Sequence, residues 1–140
     1  MTDRNYTLAQ LQSIRYNPED YSFRSGLVMK LEELIFRKKV RDFTIEDLRI
    51  LIGQNESLSI TIPMAIEQLS VNPMAEGDYY PGDLLKVTLC ASPQYWATHE
   101  KERAALEDIV IKNKDKIFNF DTTDEIKNQL REAFHDFLLM

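Results

Sequence analysis

Most of the chain shows the spacing of apolar residues that is typical of amphipathic helices. Near the end, apolar residues lie at positions i, i+4, i+7, i+8 and i+11: Ile126, Leu130, Ala133, Phe134 and Phe137. A second run follows Ser25-Gly26 and consists of Leu27, Val28, Leu31, Leu34 and Ile35. One face of each helix is therefore predicted to be buried. We expect the charges of the second run, Lys30, Glu32 and Glu33, to face solvent, and residues 138–140 to pack on the core.

Capping residues indicate where further helices begin. Thr7 precedes the short periodic run Leu8, Leu11 and Ile14, and Asn17-Pro18 ends that run. Ser92-Pro93 is a helix start, with Ser as the N-cap and Pro at the first position. From there one helix is predicted from Gln94 to about Lys114. The final helix begins after Asp121, Thr122 or Thr123. Tyr21 and Phe23 are predicted to pack on the core from a loop.

The stretch from Phe43 to Leu85 organises the rest of the chain. Thr44 and Asp47 have the spacing of a capping box, and Gly53 is predicted to end that helix in a left-handed conformation. The next helix is capped by Ser57 or Ser59 and has Pro63 in or near its first turn. The alternation of polar and apolar residues over Leu58–Ile62 leaves a short strand as an alternative. A loop with two glycines and a proline, Glu76–Gly82, then leads into a nearly apolar and therefore buried helix.

These elements predict an all-α fold: a compact bundle of about six or seven short, irregularly crossed helices. The length of 140 residues is that of one domain with a core of its own. We therefore expect residues 1–140 to form a single domain.

The charge is distributed unevenly along the chain. No lysine or arginine lies between Arg49 and Lys86, whereas five acidic residues do. They are Glu56, Glu67, Glu76, Asp78 and Asp83. The whole chain has a net charge of −6, which argues against nucleic-acid binding and favours a basic protein partner. The basic cluster at Arg37–Arg41 follows a predicted helix, where cations suit the helix dipole better than they indicate an RNA-binding patch.

Residues that carry catalysis or bind metals are scarce. The sequence contains no phosphate-binding glycine loop and no Cys-x-x-Cys motif, and it has only two histidines, His99 and His135. Cys90 lies in an apolar run and is expected to be buried. We therefore predict no catalytic group, no cofactor and no metal ion. The polar start and the lack of a long apolar run lead us to expect a cytoplasmic protein without membrane contact.

Two adjacent tyrosines stand out in the Gly/Pro-rich loop. A tyrosine offers contact area and a hydroxyl group at a low cost in conformational entropy. We predict that Tyr79 contacts a partner and that Tyr80 packs against the core.

The motifs of this stretch together resemble a family of bacterial contact-dependent growth inhibition immunity proteins. The most specific part is the run Gly77-Asp78-Tyr79-Tyr80-Pro81-Gly82-Asp83-Leu84-Leu85 after Asn72-Pro73. Phe43-Thr44, Asp47-Leu48-Arg49, Ile52-Gly53-Gln54, Pro63, Ala65 and Leu69 complete it, while Met74 replaces a usual leucine. The resemblance covers about a third of the chain.

This resemblance implies a small helical protein that catalyses nothing. Its partner would be the C-terminal toxin domain of a surface effector delivered by a neighbouring cell, commonly a nuclease and often one that cuts tRNA. We expect the protein to cover the toxin's active site or substrate-binding face. The contact residues are predicted to be Glu56, Glu67, Glu76, Asp78, Tyr79 and Asp83. The alternative function is that of a non-enzymatic helical adaptor.

Overall fold

The computed structural model describes residues 3–22 and 25–140, and in these ranges the chain is helical with no β-strand. The helices are α1 (Leu8–Gln12), α2 (Gly26–Phe36), α3 (Ile45–Gly53), α4 (Leu58–Val71), α5 (Asp83–Leu89), α6 (Pro93–Thr98), α7 (Glu100–Lys112), α8 (Lys114–Phe118) and α9 (Asp124–Leu139). A 3-10 turn at Pro18–Tyr21 lies between α1 and α2, and another at Val40–Asp42 lies between α2 and α3. The predicted all-α bundle is confirmed. The strand alternative at Leu58–Ile62 is wrong, because these residues form the first turn and a half of α4.

Side-chain caps start four of these helices, and the sequence predicts three of the capping residues: Thr7, Thr44 and Thr123. Two other predicted caps, Ser57 and Ser92, precede α4 and α6 but make no side-chain hydrogen bond to the helix. Thr7 and Thr44 each form a complete capping box, with Gln10 and Asp47 as the respective partners. Ser25 accepts the N–H of Val28 at 3.1 Å. For the last helix the structure selects Thr123, whose hydroxyl accepts the N–H of Ile126. Each cap satisfies backbone donors that the helix itself leaves unpaired.

Helices α3, α4, α5 and α9 surround the core. α3 packs on both α4 and α5, α9 packs on α5, and α4 packs on α7. The prediction that α5 is central is confirmed, because Leu84, Leu85 and Leu89 are each at most 1% exposed. Trp96 of α6 reaches this core and meets Phe137 edge to face, with ring centroids 5.2 Å apart. Burial of such large apolar side chains is the main stabilising contribution to the fold.

The long helix predicted from Gln94 to Lys114 is divided at His99. The backbone of His99 has φ −130° and ψ 62°, and α7 starts at the next residue. The imidazole Nδ1 lies 2.8 Å from Tyr95 O, and the ring stacks on the Tyr95 ring at 3.8 Å. A side chain that bonds the preceding turn in this way competes with continuation of the helix. This break explains part of the difference from the predicted helix number.

The connection between α3 and α4 also differs from the prediction. Gly53 is the last residue of α3, and the left-handed residues are instead Asn55, with φ 54°, and Ser57, with φ 51°. Asparagine tolerates this conformation better than most residues. Pro63 lies in the second turn of α4 and not the first. Thr61 makes further hydrogen bonds to this junction: its hydroxyl donates to the carbonyls of Glu56 and Ser57, both at 3.2 Å.

Several burial predictions are wrong. Cys90, Ile14 and Leu27 are exposed, and so is the tail, with Leu139 73% exposed. Glu32 is buried although the sequence predicts a solvent-facing charge; it accepts a hydrogen bond from Arg37 at 2.8 Å. Tyr21 ends a 3-10 turn and packs edge to face on Phe36, which borders the core, with ring centroids 5.6 Å apart. The companion prediction for Phe23 lies outside the described residues.

Candidate functional site

The loop between α4 and α5 is folded back on itself by short-range contacts. Oδ1 of Asn72 accepts the N–H of Met74 at 3.1 Å, and the carbonyl of Met74 accepts the N–H of Gly82 at 3.2 Å. Glu76 and Pro81 form an isolated antiparallel bridge. Gly82 has a φ of +93°, a conformation that glycine adopts without strain. The loop is therefore a closed turn with a defined tip.

Asp83 holds the tip of this loop from the inside. Its side chain is part of the buried interior, with the residue only 2% exposed. Oδ1 accepts the N–H of Gly77 at 2.7 Å, and Oδ2 accepts those of Tyr79 at 3.1 Å and Tyr80 at 3.4 Å. Hydrogen bonds to a carboxylate are stronger than those between neutral groups. One buried carboxylate thus fixes the backbone at three loop positions.

An ion pair on α3 supports the loop from the other side. Oε1 and Oε2 of Glu46 accept hydrogen bonds from Nε and Nη2 of Arg49, both at 2.6 Å. Glu46 Oε1 also accepts the N–H of Asp78 at 2.9 Å. The two side chains are only 15% and 18% exposed. The hydrogen bond from Arg49 is the main cause of the lowered pKa of Glu46; burial opposes it, and the hydrogen bond from Asp78 adds to the lowering. The same pairing raises the pKa of Arg49.

The two tyrosines of the loop point in different directions. Tyr79 is 70% exposed, and the guanidinium carbon of Arg49 lies 4.4 Å from its ring centroid. This is a cation–π contact on one face of the ring. Tyr80 is half-buried, and burial raises the pKa of its hydroxyl. The structure therefore places Tyr79 at the surface and Tyr80 towards the interior.

Gly77 is required where the loop passes against Glu46 of α3. A Cβ built on Gly77 would lie 2.5 Å from Oε1 of Glu46 and 3.1 Å from Oδ2 of Asp83. These are the two carboxylates that bind the loop backbone. Any side chain at this position would displace one or both of them.

The predicted acidic contact residues do not form one continuous patch. Glu76 and Asp78 are exposed on the loop and have no ion-pair partner in the described part of the chain. Asp83 is buried beneath them. Glu67, on α4, is already paired: Arg4 donates to its two carboxylate oxygens at 2.7 and 2.8 Å.

Glu56 is separate from the loop. It follows the C-terminal end of α3, whereas Glu46, which contacts the loop, is in the first turn of the same helix. The nine residues of α3 rise by about 13 Å in all. Glu56 therefore lies near the opposite end of α3 from Asp78.

Sequence reasoning missed Glu46 and Arg49 as parts of the site. In the sequence they are an ordinary acid and base three positions apart, a pair that is usually an exposed helix contact. The available indication was their position within the family motif, next to Asp47 and Leu48. The loop contact itself joins positions 32 residues apart, which no local pattern reveals.

Other reactive residues do not assemble into a second site. Within residues 3–22 and 25–140, no group of three or more His, Cys, Asp or Glu side chains is placed to hold a metal ion. Desolvation raises the pKa of the Cys90 thiol, although the residue reaches the surface. Its thiol is therefore not an activated nucleophile. The imidazole of His99 is engaged by Tyr95, as described above.

A shallow groove of about 350 Å³ lies between α8 and α9. Three apolar side chains and three nitrogen-containing side chains line it: Phe118, Phe134, Leu138, Lys114, Arg131 and His135. Arg131 covers one wall, with its guanidinium carbon 5.6 Å from the centroid of the Phe118 ring. The groove continues the exposed apolar surface of the C-terminal tail.

This all-α protein exposes Tyr79 on an acidic loop, and tyrosine is among the residues enriched at protein–protein interfaces. A family model described as CDI immunity proteins matches residues 10–106, more than half of the chain. The chain therefore belongs to the family of contact-dependent growth inhibition (CDI) immunity proteins, and membership implies a cognate CDI toxin as its partner. No curated protein and no solved structure matches the chain.

The family assignment confirms the resemblance seen in the sequence. The matched range includes the whole loop with Asp83, Glu46 and Arg49, and it leaves α8 and α9 outside. Among the described helices, none combines the length and apolar character needed to cross a membrane.

Proposed function

We propose that this protein binds the C-terminal toxin domain of a CDI effector in the cytoplasm and neutralises it by covering its active site or its substrate-binding face. On this proposal it catalyses no reaction of its own. The observation that carries the proposal is the family match over residues 10–106. The ordered, exposed loop between α4 and α5 supplies a surface for the interaction.

The charge of that loop supports a basic toxin, and we propose a nuclease, such as one that cuts tRNA. An enzyme that holds a nucleic acid needs cations that contact phosphates. An acidic inhibitor can use the same positive field, which speeds association and disfavours wrong partners. We call Glu76, Asp78 and Tyr79 the loop surface. Glu56 and Glu67 are proposed as rim charges, and Asp83 takes part by holding the loop.

The experiment is a titration of the purified protein with the C-terminal toxin domain of the effector encoded in the adjacent reading frame. Binding is measured by calorimetry at about 50 mM and 200 mM salt, and cleavage of total tRNA is followed at increasing ratios of protein to toxin. We expect a one-to-one complex, loss of cleavage at equimolar ratio, and tighter binding at the lower salt concentration because the interacting charges are less screened.

Two results would contradict parts of this proposal. A toxin that stays fully active when saturated with the protein would overturn neutralisation. Binding that is insensitive to salt would leave the immunity function in place but remove the role of the acidic loop surface.

A helical adaptor is the second candidate, and the groove between α8 and α9 favours it. An adaptor would present an apolar docking surface, and Leu138 in the groove is 43% exposed. Replacing Leu138 with Glu would then abolish partner binding, whereas the immunity proposal predicts that toxin neutralisation is unchanged. In the toxin titration, neutralisation by the Leu138→Glu protein at the wild-type ratio would support the immunity function, whereas a wild-type protein that leaves the toxin unbound and active would favour the adaptor.

A further inference from the structure

The Tyr79 ring is held in position in the free protein although most of it is exposed. Arg49 lies against one face of the ring, and the Arg49 guanidinium is itself fixed by two hydrogen bonds to Glu46. The N–H of Tyr79 donates to buried Asp83. Backbone and ring are therefore both restrained. Ordering a side chain on binding normally reduces affinity, and a ring that is already ordered avoids that loss.

We propose that Glu46 and Arg49 are positioning residues that hold the Tyr79 ring ready as the anchor of the toxin interface. This inference rests on the proposed function and specifies its central contact. The open face of the ring and the neighbouring carboxylates of Glu76 and Asp78 together suit an arginine or lysine side chain of the toxin.

The geometry distinguishes this pair from an ordinary surface ion pair. Exposed pairs three positions apart contribute little and hold no fixed geometry. Here both side chains are more than four-fifths buried, and Glu46 is shared between the guanidinium and the backbone of Asp78. The absence of a side chain at Gly77 allows that carboxylate to approach, since a Cβ would come within 2.5 Å of it. Glu46 thereby links α3, the loop backbone and, through Arg49, the ring.

The test is a double-mutant cycle against the same toxin domain. Arg49→Lys keeps the charge but loses the planar fork that binds both carboxylate oxygens and stacks on the ring. Toxin affinity is measured for Arg49→Lys, for Tyr79→Ala and for the protein with both changes. Arg15→Lys, the same change at an exposed arginine, is the control. Thermal unfolding of each variant checks that it is folded.

If Arg49 acts through the ring, Arg49→Lys should weaken binding about 3- to 10-fold, the effect of ordering one side chain on association. Tyr79→Ala should weaken it at least about 30-fold, as expected of an interface anchor. In the Tyr79→Ala background, Arg49→Lys should have no further effect. Arg15→Lys should leave affinity unchanged.

Other results would show whether the positioning role, the Tyr79 anchor or the proposed function is wrong. An equal effect of Arg49→Lys with and without the ring would overturn positioning while the immunity function stands. Unchanged affinity of Tyr79→Ala would overturn the anchor. A wild-type protein that does not bind the toxin domain would overturn the proposed function and the anchor with it.

A second measurement needs no partner. Glu46→Gln should raise the hydrogen-exchange rate of the Asp78 amide, because its acceptor is weakened, and should leave amides in the middle of α9 unchanged. Equal exchange of the Asp78 amide in both proteins would contradict the positioning role directly.

Discussion

Asp83 accepts the backbone N–H of Gly77 at 2.7 Å while remaining almost completely buried. This carboxylate, at the start of α5, is the internal support of the loop.

Asp83→Asn should destabilise the protein by about 2–4 kcal/mol, because an amide offers one acceptor oxygen where the carboxylate offers two. Urea unfolding measures this directly. The exposed Asp78→Asn is the control and should stay within about 0.5 kcal/mol of the wild type; equal stability of the two variants would contradict the support role.

Gly77 and Gly26 provide a matched pair of glycine replacements. Gly77→Ala places a Cβ against Glu46 and Asp83, so we expect a loss of about 1–3 kcal/mol. Gly26 is the first residue of α2, and a Cβ there would meet nothing within 4 Å. Gly26→Ala should therefore be neutral or stabilising by up to about 1 kcal/mol. Thermal unfolding in parallel compares them, and a Gly77→Ala protein as stable as Gly26→Ala would show that the loop tolerates a side chain.

Two carboxyl groups in the first turn of α3, those of Glu46 and Asp47, predict how stability depends on pH. The hydrogen bond from Arg49 lowers the pKa of Glu46. Burial alone would raise the pKa of Asp47, but the hydrogen bonds that it accepts from Lys38, at 2.6 Å, and from the N–H of Thr44 outweigh burial and lower it. The folded state therefore binds fewer protons than the unfolded state. Their contribution to the free energy of unfolding is complete above the usual pKa values, 4.5 for Glu46 and 3.8 for Asp47. It is lost as the pH falls through the lowered pKa values of the folded state.

Urea unfolding between pH 7 and pH 3 measures this effect. The midpoint should fall below about pH 5, and Glu46→Gln should reduce the fall because one of the two groups no longer titrates. A midpoint that is the same at pH 3 and pH 7 would contradict the assignment.

The hydroxyl group of Tyr95 is buried without a hydrogen-bond partner among the described residues. Burial also raises the pKa of this tyrosine. Tyr95→Phe removes the unsatisfied group and keeps the ring, so it should raise the free energy of unfolding by about 1 kcal/mol. Tyr80→Phe, at a half-buried tyrosine, is the comparison and should change stability by less than about 0.5 kcal/mol. A destabilised Tyr95→Phe protein would indicate that the hydroxyl is satisfied.

The sequence predicts the features that depend on neighbouring residues. Thr7 is a helix cap and Thr44 forms a capping box with Asp47, as predicted, and the apolar ladder of α9 is buried at Leu130 and Phe137 as the spacing requires. A cap is a contact over three positions, and a helix face repeats every three or four positions. Both can therefore be read without knowledge of the tertiary structure.

The features that the sequence does not predict depend on distant contacts. In the sequence, Asp83 is indistinguishable from the other four acidic residues of its stretch. In the structure it is buried and accepts hydrogen bonds from the loop backbone, so that only Glu76 and Asp78 are exposed acidic residues of the loop. Glu46 meets Asp78 across 32 positions. The break at His99 goes with the contact of its imidazole Nδ1 with the Tyr95 carbonyl, which a helical pattern does not show.

Capture of the toxin by the acidic loop surface is the contact that the proposed function requires. The most direct measurement is the affinity of the double charge reversal Glu76→Lys with Asp78→Lys for the toxin domain. The control is Glu132→Lys with Asp136→Lys, an equal charge change on the exposed side of α9. We expect the loop variant to bind at least about 100-fold more weakly, through slower association, and to stop protecting tRNA, while the α9 variant loses less than about 5-fold. Equal affinities of the two variants would show that the loop surface does not capture the toxin.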